Sequence, residues 1–226
     1  MVDAAHFIGL VAGKALPNPV EHADVVTFTT HKALRGARGG AVISNDEEIG
    51  KKLEKGLFPN AQGGSIYNQI AGKAAAFHEA AQPAFADYAQ RIIANAQAMA
   101  TRFTQEGVRL VTGGTDNHLM LLDVRSIDDE MTGKAAAKRL DGIGVTLNFN
   151  SIPNDPQPPF RTSGVRIGTP ASTTQGLGTE EHAEVASLIT AALRADESEL
   201  APIEARIREI AHTFPPYPEG FPGYVE

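Results

Sequence analysis

The chain has 226 residues, 42% of them hydrophobic, and 20 Lys and Arg against 27 Asp and Glu give it a net charge of −7. That length holds one large or two modest cores, and the acidic balance disfavours nucleic acid or an anionic membrane as the main partner and points to small-molecule ligands. With no cysteine there is no disulfide framework and no thiolate zinc site, and the seven histidines show no metal-ligand spacing such as H-E-x-x-H.

Met1 to Leu10 lack a basic stretch followed by a long apolar run, and no window approaches the ~18 apolar residues of a membrane span, so a cytoplasmic protein is expected. The β-branched run Asp24-Val25-Val26-Thr27-Phe28-Thr29, bounded by Pro17 and Pro19 before it and a glycine cluster after it, predicts a buried strand. Gly39 to Ser44 predicts a second strand, and Asp46 followed by Glu47, Glu48, Lys51 and Lys52 opens a helix with acids in its first turn. From Asn68 to about Gln105 the chain is rich in Ala, Gln and Lys, so two long helices are expected to meet near Pro83 and join two domains, 1–82 and 83–226. Beyond Gly107 the pattern changes to short strands over Val108 to Val111 and His118 to Val124, a helix from Thr132 to Asp141, and a strand near Val145. A Pro-rich loop, Ile152 to Phe160, precedes a strand over Gly164 to Gly168. Thr179-Glu180-Glu181-His182 begins a capped amphipathic helix, and a last helix is expected from Glu199 to His212. The tail, Phe214 to Glu226, mixes aromatic residues with proline and suits an extended surface segment. No internal repeat is visible. The texture is α/β in the first part and α+β or α/β in the second.

The segment Thr29-Thr30-His31-Lys32-Ala33-Leu34-Arg35-Gly36-Ala37-Arg38-Gly39-Gly40 follows a predicted strand, placing Lys32 at the C-terminal edge where open α/β sheets bind their ligands. A lysine that forms a Schiff base must lose its proton, and cations such as Arg35 and Arg38 nearby favour that loss. A solvated basic turn explains the same residues, and spacing alone leaves both readings open. Asp3 and His6 set a carboxylate and an imidazole three residues apart. Asp3 suits the nitrogen of a pyridinium ring, which a carboxylate keeps protonated and electron-withdrawing; it equally suits a helix cap.

Longer blocks narrow the choice. Asp3-Ala4-Ala5-His6-Phe7-Ile8-Gly9-Leu10-Val11, Pro17-Asn18-Pro19, Thr29-Thr30-His31-Lys32 and Gln62-Gly63-Gly64 resemble the serine hydroxymethyltransferase family in order and spacing. So do Gly113-Gly114-Thr115-Asp116-Asn117-His118, Pro153-Asn154-Asp155 and the run Ser163-Gly164-Val165-Arg166-Ile167-Gly168-Thr169-Pro170-Ala171. The resemblance runs from Val2 to at least His182. It implies part of the large domain of a fold-type-I pyridoxal-phosphate-dependent transferase, over 1–82, followed by a small C-terminal α+β domain, 83–226. It also implies glycine hydroxymethyltransferase activity, the interconversion of serine and glycine with tetrahydrofolate as one-carbon acceptor.

By the same resemblance Lys32 forms a covalent aldimine with pyridoxal 5'-phosphate, Asp3 pairs with the pyridine nitrogen and His6 lies near the ring hydroxyl. Thr29 assists lysine exchange and His31 holds the local network. Arg166 takes the amino-acid carboxylate, for which a guanidinium fork is chemically apt. Gly63 and Gly64 reach the cofactor phosphate of a neighbouring subunit, implying a homodimer or tetramer; Arg38 lies close to the cofactor, and Asn150 contacts the folate pterin. No metal, nucleic acid or membrane partner is implied.

Ala37, Phe149 and Gln175 depart from the family's usual residues, and Phe149 sits beside the folate position. The Asp-x-x-His block begins here at the third residue, whereas the family's chains carry a long segment before it. A sheet reduced to few strands predicts exposed edges and apolar faces, and with them aggregation or reliance on a partner segment. Weak cofactor binding and poor turnover are the corresponding expectations for this chain by itself. Rival readings are a threonine-aldolase-type or α-methylserine-transferring enzyme on the same lysine, or a non-catalytic half that dimerises with an intact homologue.

Overall fold

The computed structural model describes residues 1–217 and 220, and the chain divides into two compact units, Met1–Gln90 and Arg91–Glu226. Most of the tail expected to be extended lies outside the described residues.

In the first unit, β1 (Val2–Asp3) runs parallel to β2 (Val26–Thr29), which pairs antiparallel with β3 (Gly40–Ile43). The register sets Asp3 opposite Thr27 and Thr29 opposite Gly40. A short helix, α1 (Ile8–Ala12), buries Ile8, Gly9 and Leu10. Glycine is needed at position 9, since a Cβ there would lie 2.4 Å from the Ala33 carbonyl; the helix backbone presses against the chain just beyond Lys32. Helix α2 (Glu47–Lys55) starts as its sequence dictates: the Asp46 carboxylate accepts the Ile49 N–H at 3.0 Å, with Glu47 and Glu48 at the positive end of the helix dipole and Lys52 and Lys55 in the last turn. After a kinked segment, Gly56–Ala61, come α3 (Tyr67–Ala80) and α4 (Pro83–Gln105). Proline is tolerated as the first residue of α4 because an N–H there would have no helical partner.

Residues Gln90 and Arg91 both lie within α4, and from Ile92 onward the helix buries Ile92, Ala96, Met99, Ala100 and Phe103, a stripe at helical spacing. Gly107 ends it with φ of +75°, a backbone conformation that favours glycine. The second unit is built on four antiparallel strands, β4 (Arg109–Leu110), β5 (Leu119–Asp123), β6 (Asn148–Asn150) and β7 (Gly164–Gly168), in the order β4-β5-β7-β6. Its helices are α5 (Gly133–Gly142), α6 (Pro170–Gln175), α7 (Thr179–Arg194) and α8 (Leu200–Thr213). Phe103, Leu122, Leu140, Val165 and Ile189 share one core. From α5, Arg139 reaches the end of α7, donating from Nε to the Ala192 carbonyl at 2.6 Å and from a terminal nitrogen to the Ala195 carbonyl. Buried Asn95 donates to Thr173 Oγ1 at 2.8 Å and to the Leu177 carbonyl at 3.0 Å, tying α4 to the turn after α6. Among the described residues no helix is long and apolar enough to cross a membrane.

One local expectation needs correction. Val145 is not in a strand: Gly144 takes φ of +86° and the Val145 N–H closes onto the Leu140 carbonyl at 2.9 Å, so β6 begins at Asn148. Helix α7 begins at Thr179 as expected, and its cap is Gly178, whose N–H donates to the Glu181 carboxylate at 2.8 Å. Helix α6 is an element the sequence reading did not anticipate.

Candidate functional site

Lys32 lies half-buried in the turn that leaves β2, and that turn is held at several points. The Gly36 N–H donates to the Thr30 carbonyl at 2.7 Å, the Thr30 N–H to the Gly39 carbonyl at 3.0 Å, and the Arg35 N–H to the Lys32 carbonyl at 2.9 Å. The fully buried Thr30 hydroxyl donates to the Ala37 carbonyl at 2.5 Å. His31 lies back on the same turn, its Nδ1 at 3.3 Å from the Gly39 nitrogen and 3.2 Å from the Gly39 oxygen. A Cβ at Gly36 would lie 2.7 Å from both the Ala76 Cβ and the Thr30 oxygen, so only glycine lets α3 approach here.

Parallel pairing carries the other residues to the same strand ends. Asp3 closes β1, and its Oδ1 accepts the Ala5 N–H at 3.0 Å. The Ala5 carbonyl in turn accepts the Thr29 hydroxyl at 2.8 Å, so the exits of β1 and β2 are joined at the level of Asp3, His6 and Thr29. Arg35 adopts φ of +59° and sets its guanidinium 4.2 Å from the Tyr88 ring centroid and 5.8 Å from that of Phe85. A cation on an aromatic face is electrostatically favourable, and it is a partner the sequence reading, which set Arg35 on Lys32, did not name. Arg38 is exposed. Gly63 and Gly64 are also exposed, a Cβ on either would meet nothing within 4 Å, and neither hydrogen-bonds to the Lys32 turn among the described residues.

Arg166 and Asn150 belong to the second unit. In β7, Val165 and Ile167 are buried in the core while Arg166 alternates to the other face, opposite Leu121 of β5 and Asn148 of β6. That face carries an open cavity of about 480 Å3, lined by the 111–117 loop, Leu119–Leu121, Pro153 and Arg166. Among the described residues the half-buried Arg166 guanidinium makes no hydrogen bond or ion pair. The Asn150 Oδ1 is buried without a hydrogen-bond partner. Buried polar atoms are nearly always paired, so an unpaired one is a candidate point of contact for a ligand or an ordered water.

One residue beside this site had only a faint signal. Asp155, in the Pro-Asn-Asp-Pro stretch that marks a turn in the sequence, accepts four hydrogen bonds, and these hold its carboxyl down at about 2 against the cost of burial.

A family model described as serine hydroxymethyltransferase matches residues 1–189. The chain belongs to the serine hydroxymethyltransferase family. A serine hydroxymethyltransferase of Synechococcus sp. (strain JA-3-3Ab) is 50% identical over 230 residues, covering 96% of this chain and 53% of the relative. Those of Crocosphaera subtropica and Mesoplasma florum are each 50% identical across 96% of this chain, covering 51% and 52% of their own lengths. The chain spans about half the length of the curated relatives it matches. Membership places the mixed α/β architecture in the fold-type-I class of pyridoxal-phosphate enzymes.

Proposed function

We propose that this chain carries part of the machinery for interconverting serine and glycine, with tetrahydrofolate as the one-carbon acceptor and pyridoxal 5'-phosphate as cofactor. The observation that carries the reading is Arg166, a half-buried guanidinium facing an open cavity, with no hydrogen bond or ion pair to any of the described residues. Its five donors fit a carboxylate in two parallel charge-assisted bonds, so it takes the carboxylate of the amino acid. Asn150, with its unpaired buried oxygen, is the residue for the pterin amide or amine groups.

The residues of the first unit fit the cofactor's needs by chemistry. Lys32 offers the amine that holds it covalently, on a turn too tightly packed by Gly9 and Gly36 to drift. Asp3, with one carboxylate oxygen engaged with the Ala5 N–H, would pair through the other with the pyridine nitrogen, and His6 would hold the ring hydroxyl. Thr29 lends its hydroxyl during exchange of the lysine, His31 stiffens the turn, and Arg38 adds positive charge. When bound, the cofactor accepts electrons released at the amino acid's Cα. The exposed Gly63 and Gly64 offer backbone N–H groups to the phosphate held by a second copy of the chain, which makes the working form a homodimer or tetramer. A cytoplasmic location accords with these substrates.

Incubating the chain with pyridoxal phosphate, reducing with borohydride and mapping peptides tests the lysine. We expect the label on Lys32 and its loss in Lys32→Ala; label spread over Lys51, Lys52 and Lys55 overturns the assignment. Serine cleavage that requires tetrahydrofolate supports the transferase reading, whereas folate-independent cleavage of threonine alone would favour an aldolase.

A further inference from the structure

We propose that Asp155 is the positioning residue of the carboxylate site, fixing Arg166 and Asn150 in one geometry by closing the loop between β6 and β7. The inference rests on the reading of Arg166 given above. Asp155 Oδ2 accepts the N–H groups of Ile152 at 3.1 Å and Ser163 at 2.9 Å, and Oδ1 accepts the Gln157 N–H at 2.9 Å and the Ser163 hydroxyl at 2.7 Å. Every partner donates, so the group must be an ionised carboxylate; an amide would point its NH2 at an N–H wherever it was placed.

The partners flank both ligand residues. Ile152 lies two residues beyond Asn150, Ser163 three residues before Arg166, and Pro153 between them lines the cavity. Asn150 and Gly164 are opposite one another in the β6–β7 pair, and a Cβ on Gly164 would sit 2.8 Å from the Asn150 main-chain oxygen, so only glycine lets the strands pair this closely beside the loop that Asp155 ties. The loop is strained. Asn154 and the buried, β-branched Thr162 both take φ of +55°. Left-handed backbone at a β-branched residue persists only where the surroundings over-determine it, and such strain gathers at ligand sites. Asp155 holds the strained loop against β7, and the loop wall in turn sets where Arg166 can point.

The test follows amide chemical shifts of residues 112–117 in the full chain during a glycine titration. Asp155→Asn is expected to weaken glycine about tenfold, in keeping with the cost of small misplacements in ligand geometry. Arg166→Lys also weakens glycine, because the fork is lost. If Asp155 acts through that fork, adding Asp155→Asn to Arg166→Lys costs less than about twofold more, the non-additivity of residues that act as one unit; a purely structural role would not give this dependence on Arg166. Wild-type glycine affinity in a folded Asp155→Asn chain, or a full tenfold further loss in the Arg166→Lys background, overturns the proposal. Should Asp155→Asn fail to fold, Ser163→Ala removes a single bond to Asp155: about threefold weaker glycine supports the proposal and unchanged affinity overturns it. Absence of any glycine-dependent shift in the wild type instead sinks the carboxylate-site reading itself, and the inference with it.

Discussion

His182 lies 2% exposed near the start of α7, with Nδ1 2.7 Å from the Gly178 carbonyl and Nε2 2.8 Å from the Ser172 hydroxyl. The Gly178 carbonyl can only accept, so Nδ1 carries a proton, and Nε2 faces the Ser172 hydroxyl, which also lies 3.1 Å from the Thr169 carbonyl. Burial lowers its pKa below the ordinary 6.5, with the Gly178 bond and the Glu181 charge opposing only in part. The unfolded chain therefore binds the proton first as pH falls, and stability that is full above 6.5 declines below it, by at most about 1.4 kcal/mol per pH unit. Urea midpoints at pH 8 and pH 5.5 should reveal this slope, and His182→Gln should flatten it while lowering stability at pH 8. At this scale the sequence was uneven as a guide. Lys32, Asp3 and Arg166 stood in blocks whose order singled them out as candidates, whereas the Arg35 partner, Tyr88, is far along the chain and no local spacing announces the pair. The left-handed Thr162 is equally silent, because threonine is a poor advertisement for that conformation.

Elements with strong local signals were legible; those made by tertiary contact were not. The acids after Asp46, the proline at the head of α4 and the alternation in β7 each stated their element in the sequence, and each element is present. Helix α6 escaped notice because Pro-Ala-Ser-Thr-Thr-Gln has weak helix propensity; it is fixed from outside, Thr169 donating to the Ile92 carbonyl at 2.9 Å and Thr173 accepting from Asn95. The seat of α5 on β7 depends on one missing methyl group. A Cβ at Gly133 would lie 2.3 Å from both the Gly164 oxygen and the Thr162 hydroxyl, and the Gly133 N–H already donates to the Thr162 carbonyl at 3.0 Å. Gly133→Ala should cost about 2–3 kcal/mol or more in denaturant unfolding, by overpacking against backbone. Gly142→Ala, at the other end of the same helix with nothing within 4 Å of the added carbon, should be neutral or stabilising by up to about 1 kcal/mol.

Across the whole molecule the apolar surface is unevenly spread. Leu57, Phe58, Ile66, Tyr67, Ile70 and Phe77 are all at least 43% exposed and crowd into one stretch of the first unit, with Val42 and Ile43 exposed on the outer strand of its sheet. Apolar area of this size is seldom left in water by a solitary chain. Sedimentation velocity should therefore show concentration-dependent association, shifted toward monomer by replacing Ile66 and Ile70 with serine; a monomer at all concentrations would contradict a self-associating chain. The exposed sheet edge and apolar face follow the expectation drawn from the sequence, although no pattern there could say which residues would cluster. The second unit is put together differently, and Arg139 is the reason one part of it behaves as a single body. A helix usually frays from its last turn because its final carbonyls have only water for company. Here those carbonyls are gripped by a side chain rooted in the middle of another helix, so the exit of α7 cannot loosen unless α5 moves with it, and the two share one opening event where two independent ones would otherwise occur.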